Sequence, residues 1–261
     1  MPRTIAIANQ KGGVGKTTTA INLAASLAAA ERKVLLIDLD PQGNATSGFG
    51  VDREEIVQSV YDLFFQEKEI ADILQRTPLP GLDLLPATID LVGAEVELVS
   101  CDKREGILKS RIHSSGGGYD FILIDCPPSL GLLTLNALSA AHGVLVPLQC
   151  EYYAMEGLGQ LLQTIAHVQR SFNPALQVEG ILLTMVDPRN NLCSQVIREM
   201  ESHFKDKVYQ TRIPRNVTLA EAPSHGKPAL LYNIDSKGAQ AYLQLAQEIV
   251  KGVIKDGVAT T

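Results

Sequence analysis

Asn9-Gln10-Lys11-Gly12-Gly13-Val14-Gly15-Lys16-Thr17-Thr18-Thr19 is the stretch on which the reading of this chain turns. It follows a β-like run, Thr4-Ile5-Ala6-Ile7-Ala8, and precedes a segment rich in Ala and Leu. Gly12, Gly13 and Gly15 let the backbone curl with its N–H groups pointing inward, and a helix starting behind them adds its positive end to the same cavity. A polyphosphate fits such a loop. The spacing Gly-x-x-x-x-Gly-Lys-Ser/Thr asks for glycine where this chain has Gln10, while the ending Gly15-Lys16-Thr17 is kept. On that spacing the loop from Gly12 through Thr18, with Val14 at its middle, wraps the phosphates. Lys16 reaches the β/γ-phosphates and the Thr17 hydroxyl ligates Mg²⁺. Lys11, a second lysine at the front of the loop, has no place in the ordinary pattern.

Composition narrows the classes. The chain has 261 residues, is 45% hydrophobic and shows no internal repeat, so one α/β domain spanning 1–261 is expected. A net charge of −6 argues against a wholly basic nucleic-acid-binding domain but leaves room for a local basic patch. Cys101, Cys126, Cys150 and Cys193 lie far apart with no C-x-x-C pair, which reads as reduced core thiols rather than a zinc or iron–sulfur site. The first strand begins within four residues and no apolar run approaches the length of a membrane span, so a cytoplasmic protein is expected.

The remaining pattern alternates strands and helices. Helix is expected from Thr17 to about Ala30, then a buried strand Lys33–Asp38 that closes a βαβ unit. It runs into Asp38-Leu39-Asp40-Pro41-Gln42-Gly43-Asn44-Ala45-Thr46, a polar turn at the strand's carboxyl end, where ligands sit in open α/β sheets. The stretch from Val51 to Ser115 is less legible: helices near Ser59–Phe65 and Ile70–Gln75, an edge strand Leu82–Pro86, and helical runs Ile89–Val99 and Lys103–His113, closed by the loop Ser114–Gly118. Tyr119–Asp125 is an apolar strand ending in an acid, the form of a Walker B segment, so Asp125 is expected near Mg²⁺. Strands Gly143–Gln149 and Val178–Met185 follow, separated by a long helix to Phe172. Further on come a short strand Val208–Thr211, a turn at Ile213–Asn216 with a capped helix, and a C-terminal helix from about Ser236 to Ile254. Tyr242, Leu245, Ala246, Ile249, Val250 and Val253 share one face of that last helix. The expected fold is therefore α/β, a doubly wound, mostly parallel sheet with helices on both faces.

Lys11-Gly12-Gly13-Val14-Gly15-Lys16-Thr17 resembles the deviant Walker A motif of the ParA/MinD class of P-loop ATPases, in which the front lysine is the signature residue. The resemblance implies that Lys11 reaches across a dimer interface to the partner's nucleotide, so that ATP helps hold a homodimer together. The turn D-x-D-P-Q-G-N resembles the second motif of the family. Carried over by position, Asp40 orients or activates the attacking water and Asp38 supports the Mg²⁺ shell, a positioning task in phosphoryl transfer. Ser129–Leu138 resembles the switch segment, and Pro214 and Asn216 match residues that hold adenine.

The resemblance extends from Ile5 to about Leu245. Its most specific part, Ala222-Pro223-Ser224-His225-Gly226-Lys227-Pro228, is similar to chromosomal ParA/Soj partition ATPases. That implies hydrolysis of ATP, non-specific binding of double-stranded DNA by the ATP dimer, and control by a ParB-type partner. Arg189 matches a position implicated in DNA contact, and Arg215, Lys227 and Lys237 could share its face. Thr218 departs from relatives that carry arginine there. A MinD-like division-positioning ATPase and a non-hydrolysing nucleotide switch are the alternatives. The tail Lys255–Thr261 has few positive charges and does not resemble MinD's basic membrane helix, so no membrane partner is expected.

Overall fold

The computed structural model describes residues 2–66, 68–114, 117–151 and 154–258, with side chains as far as residue 252. Seven strands form one sheet: β1 (Arg3–Ile7), β2 (Val34–Asp38), β3 (Gln75–Arg76), β4 (Leu82–Leu85), β5 (Phe121–Asp125), β6 (Gly143–Gln149) and β7 (Gln177–Thr184). Their order is β3-β4-β2-β5-β1-β6-β7, parallel except for the β3–β4 pair. The chain winds from β1 toward one edge, then returns to β5 beside β1 and continues to the other edge. The carboxyl ends of β1, β2 and β5 thus stand together.

Side-chain alternation divides the core. Ile5, Ile7, Val34 and Leu36 belong to the layer beneath helix Lys16–Ala29 and the C-terminal helix Lys237–Val258. Ala6, Ala8, Leu35 and Ile37 belong to the opposite layer, with residues of helices Leu132–Ala140, Ala154–Ser171 and Asn191–Phe204. A strand buried on both faces is an unbroken apolar run, and β2 and β5 are buried at every residue. Helix Lys16–Ala29 is sandwiched between sheet and C-terminal helix, where the Thr19 and Tyr242 hydroxyls meet at 3.0 Å. Asn22 joins it to the C-terminal third by accepting from the Ala229 N–H at 2.8 Å.

Several expectations give way. Leu82–Leu85 is not an edge strand: Gln75–Arg76 pairs antiparallel outside it, and the expected helix stops at Ile73. No ladder forms over Val208–Thr211, which makes only an isolated bridge from Val208 to Ile181. The amides of Gln210 and Thr211 bond instead to the Glu248 carboxylate, at 2.8 and 3.1 Å, so a side chain takes the place of a neighbouring strand. The run Ile89–Val99 is a helix at Leu91–Glu97 tightened into a 3₁₀ turn at Leu98–Ser100, and Arg104–Gly106 is likewise a 3₁₀ turn before helix Ile107–Ser114. The C-terminal helix is longer than expected, reaching Val258; Tyr242, Leu245, Ala246 and Ile249 are buried, whereas the Val253 side chain lies outside the described residues. Ser115 and Gly116 of the expected loop lie outside them too, as do residues 259–261 of the tail. Among the described residues no helix is long and apolar enough to cross a membrane.

Candidate nucleotide site

β1 delivers the chain into the loop at the sheet's carboxyl edge. Gly13 and Gly15 take positive φ, 75° and 89°, which a side chain would strain. Asn9 fixes the loop's start: its amide donates to Pro147 O at 2.7 Å and its Oδ1 accepts from Lys11 N at 3.0 Å. Thr184 holds the far side through Val14 O at 2.9 Å. Gly15 precedes helix Lys16–Ala29 without a side-chain cap, so the helix's first N–H groups face the loop. Lys16 is buried and turns its ammonium back to Lys11 O at 3.2 Å. Burial lowers its pKa, and the nearby Asp125, Cys126 and Asp40 oppose that shift.

Asp38 and Asp125 end neighbouring parallel strands in register and are both fully buried. Asp38 is well partnered: Oδ1 accepts from Asp40 N at 3.2 Å, and Oδ2 accepts from Thr46 N at 2.8 Å and Thr46 Oγ1 at 2.7 Å. Burial still pushes its carboxyl up to about 6. Among the described residues neither oxygen of Asp125 has a hydrogen-bond partner. Burial raises its pKa well above the usual range, and the charge of Asp38 adds to the shift. The Thr17 hydroxyl and the Lys16 charge favour the ionised form and oppose that rise. Two buried carboxylates side by side, one of them orphaned, are costly without a cation. Asp40 is buried at the turn that follows, and its Oδ1 accepts from Gln42 N at 2.9 Å.

A cavity of about 260 Å³ opens beside the loop, lined by Gly15, Thr18, Met185, Pro214, Asn216 and Leu219 among others. Asn216 precedes helix Val217–Glu221, yet its side chain does not cap it as expected. Its Oδ1 is buried without a partner among the described residues, an acceptor awaiting a donor. Met185 takes φ of 51° here, the left-handed region, at the end of β7. A larger hollow, about 1280 Å³, lies around Arg3, Lys109 and His142 at the opposite, amino-terminal edge of the sheet, away from these groups.

The fold thus converges Gly12, Gly13, Val14, Gly15, Lys16, Thr17, Asp38, Asp40 and Asp125 on one edge, with Pro214 and Asn216 beside them. Lys11 is turned differently: its ammonium pairs with Glu151, just beyond β6, with both side chains more than a third exposed. Of the four cations named for DNA, Arg189 and Arg215 both surround Asp187, which Arg189 grips through two bonds of 2.9 and 2.8 Å and holds at a pKa of about 2. Lys237 is exposed beside Gly238, which packs on Leu219 and Asn216. Lys227 is exposed on a different turn, after the close approach of Gly226 to Gly50. Glu151, Thr46, Asn9 and Thr184 carried no spacing signal, because their partners lie far away in sequence or in the loops' own curvature.

A strand, glycine loop and helix with a buried lysine opposite two buried strand-end carboxylates define a P-loop nucleotide-hydrolase site. A family model described as an AAA domain matches residues 2–178. The chain is 56% identical over 249 residues to the sporulation initiation inhibitor protein Soj of Bacillus subtilis, covering 95% of this chain and 98% of that one. It is also 56% identical over 249 residues to the chromosome partitioning protein ParA of Myxococcus xanthus, covering 95% and 88%. The structure of a cobyrinic acid a,c-diamide synthase from Mycobacterium smegmatis, with bound ADP and magnesium, matches with a TM-score of 0.83 and 42% identity over 95% and 93% of the two chains. The chain belongs to the Soj/ParA family of chromosome-partitioning ATPases.

Proposed function

We propose that residues 1–261 act as one P-loop ATPase domain that binds ATP with Mg²⁺, dimerises around it and releases the dimer on hydrolysis. The observation that carries this reading is the orphaned, buried carboxylate of Asp125 beside Asp38, facing Lys16 and the loop. Among the described residues no three His, Cys, Asp or Glu side chains converge to hold a metal alone. A site completed by nucleotide phosphates accounts for both facts. Thr17, Asp38 and Asp125 would hold Mg²⁺ directly or through water, and the ion would neutralise phosphate charge.

Within this reading the loop amides and helix end bind the phosphates, and Lys16 turns from Lys11 O toward the β/γ oxygens. Asp40, at the lip of the site, orients the attacking water. Asn216 Oδ1 accepts from the adenine amino group while the Pro214 ring covers the base. Lys11 exchanges Glu151 for the partner's phosphates, which closes the dimer.

The likeness to Soj and ParA supports a cytoplasmic partition role, with double-stranded DNA bound non-specifically by the ATP dimer and turnover set by a ParB-type protein. Arg189, Arg215, Lys227 and Lys237 supply the phosphate contacts, duplicated across the dimer axis. The test is sizing in ATP and in ADP, with phosphate release measured with and without DNA and the ParB-type protein. A dimer in ATP alone, and release that rises when both are present, is expected. A nucleotide-independent monomer with no phosphate release refutes the reading.

A further inference from the structure

The segment after β4 carries two apolar rows. Leu91, Ala94 and Leu98 turn inward and are buried. Ile89, Val92, Val96 and Val99 have the same helical spacing but face solvent, 65%, 55%, 73% and 59% exposed. Single exposed aliphatic residues need no explanation, whereas four at this spacing make a continuous row. Three of them are valines, which local helix propensity does not favour.

One flank of the row is acidic. Tyr61, on helix Val60–Phe65, donates to both oxygens of Glu97 at 3.0 and 3.1 Å. The hydrogen bond to Glu97 raises the pKa of that phenol most, and burial and the charges of Glu97, Asp90 and Asp62 add to it, so three carboxylates stand around Tyr61, two of them from the row's own segment. At the far end Arg104 is committed to Val99 O at 2.7 Å and to Glu105 at 3.1 Å. The element is also tied to the nucleotide site at two points. Ala87 N donates to Thr46 Oγ1 at 2.9 Å, the hydroxyl that donates to Asp38. Glu95 accepts from Leu132 N and Leu133 N at 2.8 and 3.3 Å, the first turn of the helix that follows Asp125.

We propose that the row Ile89–Val92–Val96–Val99 is the docking surface for a basic amphipathic helix of a partner protein, and that docking acts on the nucleotide site through Thr46 and Glu95. Aliphatic residues of the partner cover the row, and its lysines or arginines meet Asp62, Asp90 and Glu97. A second copy of this chain meeting the row across a two-fold axis would set the same carboxylates against each other, and an anionic lipid surface is repelled. The coupling rests on the ATPase reading of the site; the docking does not.

The probe is a synthetic helical peptide with leucines at i, i+3 and i+7 flanked by lysines, compared with the same peptide carrying glutamates for lysines. The lysine peptide is expected to bind the full chain in ATP and Mg²⁺, less tightly as salt rises. Val92→Glu with Val96→Glu should weaken it at least about tenfold, leaving binding of a fluorescent ATP analogue unchanged. Val92→Ala with Val96→Ala, which suits the helix better, should give an intermediate loss. Equal binding of the glutamate peptide, or undiminished binding to the glutamate variant, overturns the docking. So does a nucleotide-free dimer of the parent that the glutamate variant dissolves, which would assign the row to a second copy. Peptide binding with no change in phosphate release overturns the coupling. If the parent fails to bind ATP, the site reading falls, and peptide binding without nucleotide still decides the surface.

Discussion

Lys11 and Glu151 form an ion pair inside one chain, between the front of the phosphate loop and the end of β6. Both side chains are more than a third exposed, and pairs of that kind contribute about 0–1 kcal/mol. Nucleotide phosphates brought by a second protomer therefore compete easily for the lysine. Lys11→Ala should leave a monomer in ATP by light scattering, whereas Glu151→Gln should give the dimer at lower ATP and change the Tm by no more than about 4 °C. Normal ATP-dependent dimerisation by Lys11→Ala would remove the cross-protomer role.

Asp40 stands at the turn after β2 with its Oδ1 engaged by its own turn, at Gln42 N. Removing its carboxylate leaves the loop, Lys16 and both strand-end acids in place. Asp40→Ala should keep ATP binding and hold the dimer, while phosphate release falls at least about a hundredfold. Release at the parental rate would make Asp40 a turn residue only.

The strand-end acids predict a pH effect whose sign is opposite to that of a salt-bridged carboxylate. A carboxyl whose folded pKa is raised holds its proton in the folded state after the unfolded chain has lost it. Stability then falls as pH rises from the ordinary 3.8 through the folded value, about 6 for Asp38 and also raised for Asp125. Asp125→Asn should raise the nucleotide-free Tm at pH 8 by about 2–4 °C for each kcal/mol relieved, and the gain should shrink toward pH 5. It should also weaken Mg²⁺-dependent ATP binding. Calorimetric melts that show the same Tm gain at both pH values would contradict the buried, raised carboxyl.

Gly226 is held at φ 61°, and a Cβ there would meet Gly50 Cα at 2.5 Å. The motif Ala222–Pro228 is thereby pinned against the turn after helix Asn44–Gly48, which carries Thr46. Gly226→Ala combines left-handed strain with a backbone clash and should cost at least about 2 kcal/mol, a Tm loss of about 4–8 °C. An unchanged melt would show that this approach relaxes freely.

Arg189 is exposed at its tip but clamped by Asp187, so the local charge it offers DNA is partly cancelled unless Arg215 shares the load. Arg189→Glu should abolish DNA binding in ATP while sizing still shows the dimer, and Arg215→Ala should weaken binding and flatten its salt dependence. DNA binding by Arg189→Glu equal to the parent's, or by the parent equally in ADP, would exclude this patch.

The phosphate loop, the two strand-end acids and the parallel sheet were legible along the chain because their signals are local: glycine where the backbone must curl, unbroken apolar runs where a strand is buried twice, an acid at each carboxyl end. Strand order was not legible in those signals, since pairing Asp38 with Asp125 depends on β5 returning to lie between β1 and β2. Nor did local pattern reveal that Leu82–Leu85 lies inside the sheet, because a strand of only two residues covers it. It likewise did not show that Glu248 would replace a ladder at Gln210 and Thr211. The Glu151 partner of Lys11 and the Pro147 partner of Asn9 exist only once distant segments meet, whereas the partners of Asp38, at Asp40 and Thr46, come from the curvature of its own turn. Hydrogen-bond satisfaction is a property of the packed volume, whereas periodicity and turn chemistry belong to the chain itself.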